Sequence, residues 1–139
     1  MARIELMDWQ RAHSLAAPIR FEVFVREQRV PAEIELDEND AVSVHAVAFD
    51  GEAPIGTGRL LPDGHIGRMA VLKEWRRRGI GSLILEKLVQ AARERGDANI
   101  ALSAQVRAVD FYRAHGFEPV GAVYQEAGID HQAMVRALA

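Results

Sequence analysis

The chain has no cysteine. That removes disulfides, thiolate metal sites and a cysteine acyl-enzyme, and it suits a reducing compartment. No apolar run reaches the length that crosses a bilayer, and the N-terminus lacks the apolar core of a secretory signal. The expectation is a cytoplasmic protein with no membrane partner. Charge of one sign is also lacking. The 17 basic and 20 acidic side chains leave a formal charge of −3, so there is no broad basic field for nucleic acid. Aromatic residues make up 6% of the chain, too few to interleave with basic residues as a base-stacking surface. Trp9 and Trp75 therefore read as packing residues. Neither a G-x-S-x-G elbow nor a G-x-x-x-x-G-K-[ST] loop occurs. Histidines and carboxylates nowhere fall at metal-ligand spacing, so no metal is expected.

What is present suffices for one folded unit. A chain of 139 residues buries roughly two-thirds of its unfolded surface, and residues 1–139 read as a single domain. Arg3–Met7 alternates as a strand does. Asp8 is placed to cap a helix over Trp9–Gln28, which Pro18 should break into two short pieces. Val30-Pro31 opens a loop carrying Glu33, Glu35, Asp37, Glu38 and Asp40. Such a run is either a solvated loop or a rim that draws in a cation. Val42–Phe49, Pro54–Leu61 and His65–Val71 read as strands joined by short turns, hence an antiparallel meander. Ser82–Arg95 is the clearest helix, with Ile84, Leu85, Leu88, Val89 and Ala92 on one face and Gly96 at its end. Asn99–Ser103 is a short strand, made parallel to His65–Val71 by the helix between them. A short helix over Val106–His115 and two strands, Phe117–Tyr124 and Gln132–Leu138, complete the chain. This order predicts an α+β fold built on a mixed sheet.

The stretch Ile66–Ser82, IGRMAVLKEWRRRGIGS, carries the functional signal. It runs from a strand through a loop ending in Arg76, Arg77 and Arg78. It then turns at Gly79-Ile80-Gly81 into the long helix. The first amides of a helix have no internal partner, and the macrodipole makes that end partly positive. Glycine lets the backbone approach an anion without a Cβ in the way. Cations at that end are disfavoured by roughly 0.3–1 kcal/mol each. A bound polyphosphate would account for three in a row; a solvated basic turn is the alternative.

The spacing Arg76-x-x-Gly79-x-Gly81 after a strand resembles the acyl-CoA diphosphate loop of the GCN5-related N-acetyltransferase (GNAT) superfamily. A second block, Gln105 to Phe117 with Phe111-Tyr112 and Gly116-Phe117, resembles the same family's later motif, and the two blocks fall in the same order. Phe24–Gln28, Val30-Pro31 and Gly128–His131 resemble the ElaA/YjcF-like branch, which often has proline in place of Asp130. The resemblance implies a mixed, mostly antiparallel sheet of about six to seven strands, helices on both faces, and a splayed parallel pair at the cofactor site. It also implies acetyl-CoA as co-substrate and a small amine or peptide amine as acceptor.

The amides from Arg77 through Gly79, Ile80 and Gly81 to Ser82 would cradle the diphosphate, with Arg76, Arg77 and Arg78 adding side-chain contacts. Met69, Ala70 and Val71 would face the pantetheine arm, and the Val71 amide would polarise the thioester carbonyl. Gln105 falls where many relatives have an asparagine that touches the cofactor. Tyr112 matches the general acid. The base stays open among Glu27, Glu35, His45 and His131. An acyl-CoA-binding module without turnover is the competing reading, and exposed sheet edges suit a homodimer.

Overall fold

A computed structural model describes residues 2–138, so the outermost two positions of the expected 1–139 unit lie outside it. Among the described residues, seven strands make one sheet. They are β1 (Arg3–Met7), β2 (Val44–Asp50), β3 (Ala53–Leu60), β4 (His65–Val71), β5 (Asn99–Gln105), β6 (Glu118–Glu126) and β7 (Ile129–Ala137). Their spatial order is β1-β2-β3-β4-β5-β7-β6. Only the β4/β5 pair is parallel; every other neighbour is antiparallel. The expected mixed, mostly antiparallel α+β sheet is what the chain forms.

Helices cover both faces. On one, α3 (Ile80–Arg95) buries Ile80, Ile84, Leu85, Leu88, Val89 and Ala92 against Ile55, Leu60, Ile66, Ile100 and Met134. Each large side chain contributes roughly 1.5–3 kcal/mol by leaving water, so the start of α3 is anchored to the sheet. Close approach is required at Gly58, where a Cβ would sit 2.6 Å from Met69 Sδ and 3.0 Å from Leu88 Cδ1. On the other face, α1 (Trp9–Arg20) and a π-helical segment, Phe21–Glu27, pack Ala12, Ile19 and Val23 onto Met7, Val47, Phe49 and Ala70. Short helices α2 (Ala32–Glu35) and α4 (Val109–Ala114) complete the set.

Three expectations are corrected. Pro18 does not break α1, which continues to Arg20. The missing N–H is tolerated near the helix end. There the Phe21 N–H is shared between the Ala17 and Pro18 carbonyls, and the chain widens into π spacing with Gln28 N–H on Val23 O at 3.2 Å. The long helix begins at Ile80 rather than Ser82, because Gly79 at φ 77° ends the loop and starts the helix at the next residue. The closing strands run deeper into their turn than expected. Ala127 (φ 52°) and Gly128 (φ 76°) alone join them, the left-handed pair of a tight hairpin.

The acidic segment is neither a solvated loop nor a cation-attracting rim. Glu35 and Asp40 are buried. Arg20 Nε donates to Glu35 Oε2 at 3.0 Å and Arg20 Nη1 to Asp40 Oδ1 at 2.7 Å. Arg59 Nη1 bridges Asp37 and Asp40 at 2.7 and 2.8 Å. Arg68 reaches Glu35 at 3.0 Å and Asp37 at 3.2 Å. Three arginines thus balance three carboxylates. Burial raises the Asp40 carboxyl, but the Arg20 hydrogen bond and charge outweigh it and hold that group below the usual range. Only Glu33 and Glu38 of the run stay exposed.

Candidate active site at the β4/α3 corner

The site begins where two parallel strands part. β4 and β5 are registered only at His65↔Ala101 and Ile66↔Leu102. Beyond that point their facing edges separate. The register with β3 also shifts between Thr57 and Arg59, and Arg68 takes φ 50°. This bulge re-aims the end of β4. Leu72 N–H donates to Ile55 O at 2.9 Å. Antiparallel alternation then turns the N–H and C=O of Val71 away from β3, toward the gap. Ala70 is buried against Ile19 and Val23, and Met69 packs on the α3 core. Val71 thus presents its backbone to the opening.

The loop after β4 contains the 3₁₀ turn Lys73–Trp75 and then the arginines. Arg77 (φ 64°) and Gly79 (φ 77°) both adopt the left-handed conformation. Gly79 stands at the N-cap of α3 with no side-chain cap, no acidic residue follows in the first turn, and Leu83 N–H is the first to bond back, to Gly79 O at 3.2 Å. The amides of Ile80, Gly81 and Ser82 therefore keep no backbone partner within the helix. A Cβ at Gly79 would meet nothing within 4 Å. The corner is open, and its donors and dipole suit an anion.

The three arginines do different things. Arg76 turns back, with Nε on Val71 O at 2.9 Å and its two Nη groups on Glu27 at 2.9 and 2.7 Å. The Arg78 guanidinium lies 4.9 Å from the Trp75 ring centre. Arg77 is exposed. Across the gap, Gln105 Nε2 donates to Gln28 Oε1 at 2.7 Å, joining the end of β5 to the end of the π segment. On the far side of the corner, Phe111 Cζ would lie 3.6 Å from a Cβ on Gly81. The adjoining Tyr112 is half-buried beside Phe117, ring centres 6.0 Å apart, and burial pushes its phenol up to about 12.

A sequence profile described as the acetyltransferase (GNAT) domain matches residues 11–138. The chain belongs to the GNAT acetyltransferase family. It is 43% identical over 122 residues to the uncharacterized N-acetyltransferase YjcF of Bacillus subtilis, covering 85% of this chain and 87% of that protein. It is 27% identical over 148 residues to the protein ElaA of Escherichia coli, covering 94% and 97% respectively. Among solved structures, an acyl-CoA N-acyltransferase from Pseudomonas aeruginosa superposes with TM-score 0.88 at 30% identity, covering 99% and 100% of the two chains.

Within this GNAT chain, the base candidates are already engaged. The Arg76 hydrogen bond holds the Glu27 carboxyl below its usual range despite partial burial. Glu35 belongs to the arginine network. His45 is buried with Nε2 on Asp40 O at 2.9 Å, and desolvation lowers its pKa. His131 points Nδ1 at Ile129 O, 2.7 Å away. Two features escaped the sequence reading. Gln28 bridges to Gln105 across 77 residues of chain, a pairing no local pattern signals. Ser82, Glu86 and His115 also form a hydrogen-bonded chain. The i,i+4 spacing of Ser82 and Glu86 was its only local trace. An apolar cleft of about 530 Å³ between α1, the π segment and α2, lined by Phe21, Val25 and Leu36, contains none of the corner residues.

Proposed function

We propose that this protein moves an acetyl group from acetyl-CoA to a primary amine by direct attack in a ternary complex. One observation carries the reading. The β4/β5 pairing ends before Val71, whose N–H is turned away from β3, and the loop that follows runs to the uncapped start of α3. The open space at Gly79 and the unpartnered first amides fit a diphosphate. The amides of Arg77 to Ser82 hold it. Arg77 and Arg78 add the side-chain charge, since Arg76 is committed to Glu27.

Acetyl-CoA supplies a thioester-activated acyl group. The Val71 N–H meets the charge that grows on the carbonyl oxygen, where a fixed donor is worth most. Tyr112 keeps its proton at every physiological pH, being held at about 12. Passing it fully to a thiolate of ordinary pKa, roughly 8.5, would run uphill. Tyr112 therefore acts on the departing sulfur as a hydrogen-bond donor more than as a complete acid. The absence of cysteine from the chain fits attack without a cysteine acyl-enzyme.

A second reading, an acyl-CoA-binding module without turnover, is favoured by the engagement of Glu27, Glu35 and His45 with internal partners. Calorimetry with acetyl-CoA, followed by thiol release on a panel of amines, separates the two. Acetyltransfer predicts binding and thiol release with at least one amine. Binding without release for any amine selects the module. Absence of binding removes both.

A further inference from the structure

The first turn of α3 carries an arrangement the reading above leaves unused. Ser82 Oγ lies 3.0 Å from His115 Nε2, and His115 Nδ1 lies 2.8 Å from Glu86 Oε1. The His115 side chain is 17% exposed, and its ring leans on Phe111 at 5.0 Å. Arg136 Nη1 donates to its backbone carbonyl at 2.8 Å. The imidazole is therefore held between α3 and α4, and its backbone is tied to β7.

The direction of the Ser82 hydrogen bond depends on the charge of that ring. A neutral imidazole has one N–H. With it on Nδ1, facing the Glu86 carboxylate, Nε2 is a lone pair and takes the Ser82 O–H. An imidazolium has both. Nε2–H then donates to Ser82 Oγ, and the hydroxyl proton turns elsewhere. It turns at the first turn of a helix whose amides carry no side-chain cap. We propose that protonation of His115 releases the Ser82 hydroxyl to donate to the diphosphate held at this corner. His115 is thus a positioning residue for the co-substrate. This rests on the reading that the corner holds a diphosphate. The charges facing the residue are the Glu86 carboxylate from α3, at Nδ1, and the Arg136 guanidinium from β7, at the backbone carbonyl. From α4 it meets the Phe111 ring.

The test is calorimetry of the full chain with 3′-dephospho-CoA between about pH 5.5 and 8, the range in which histidine switches. This probe lacks the phosphomonoester, whose second ionisation near about pH 6 would titrate in the same window. Wild type should bind about threefold to tenfold tighter at the acid end. Ser82→Ala should lose most of that step. Glu86→Gln, at an exposed position, should move its midpoint to lower pH, because the imidazolium loses its counter-charge. Circular dichroism confirms that each variant is folded. A step of wild-type size in Ser82→Ala, or no step in wild type, overturns the inference while leaving the diphosphate site standing. No binding at any pH overturns both.

Discussion

Two clusters of three arginines sit in this molecule, and they are used in opposite ways. Arg20, Arg59 and Arg68 meet Glu35, Asp37 and Asp40 beneath the segment that follows the π helix. Arg76, Arg77 and Arg78 crowd an exposed loop at the positive end of α3. In the first cluster every charge has its counter-charge inside the protein, and the outcome is a fixed loop. In the second, only Arg76 has an acidic partner, Glu27. Arginines alone therefore do not mark a ligand site. What marks it is positive charge left uncompensated beside unpaired backbone donors.

Breaking the buried cluster should have the largest effect. Arg20→Ala strands Glu35 and Asp40 without their main partner and should cost about 3–5 kcal/mol in denaturant unfolding. A loss under about 1 kcal/mol would mean that the network is ornamental. The open cluster should respond in binding instead. Gly79→Asp places a carboxylate and a strained left-handed residue where the diphosphate is proposed to lie. Acetyl-CoA affinity should fall by about a hundredfold or more by calorimetry, with the fold intact.

Tyr112→Phe should slow turnover by about tenfold to a hundredfold and leave acetyl-CoA affinity near wild type. Unchanged turnover would remove Tyr112 from the chemistry. Acid should also separate the clusters. His45 is held neutral beside Asp40, while the unfolded chain takes up its proton near about pH 6.5. Stability is therefore complete above that pH and declines as pH drops below it. A loss of stability between about pH 7 and 5.5 is expected in denaturant unfolding, with a flatter slope in His45→Asn. The smallest effect belongs to Arg77→Ala. Stability should stay within about 0.5 kcal/mol, and acetyl-CoA affinity should drop about threefold, as for one exposed charge.

Local pattern made much of this legible. β4 ends where its apolar run ends, and the helical face of Ile84, Leu85, Leu88, Val89 and Ala92 is the buried face of α3. The diglycine corner was readable because the conformation it needs is encoded in adjacent residues. The acidic run was not, because its partners Arg59 and Arg68 lie 19–33 residues further along the chain and meet it only through the sheet. Glu27 stood among the candidate bases for the same reason; Arg76 closes on it across 49 residues. The junction after Pro18 fell two residues late because a π turn absorbs the defect, and no composition signal announces that geometry.

The brief contact between β4 and β5 has a mechanical consequence. Two paired residues on each strand are the whole strand-to-strand seam between a four-stranded half and a three-stranded half. Below that seam the halves diverge like the blades of open shears. A molecule lodged between them would act as a wedge that also glues. Its departure should loosen the joint, so that amide exchange at Val71 and Gln105 slows together on loading and quickens together on release.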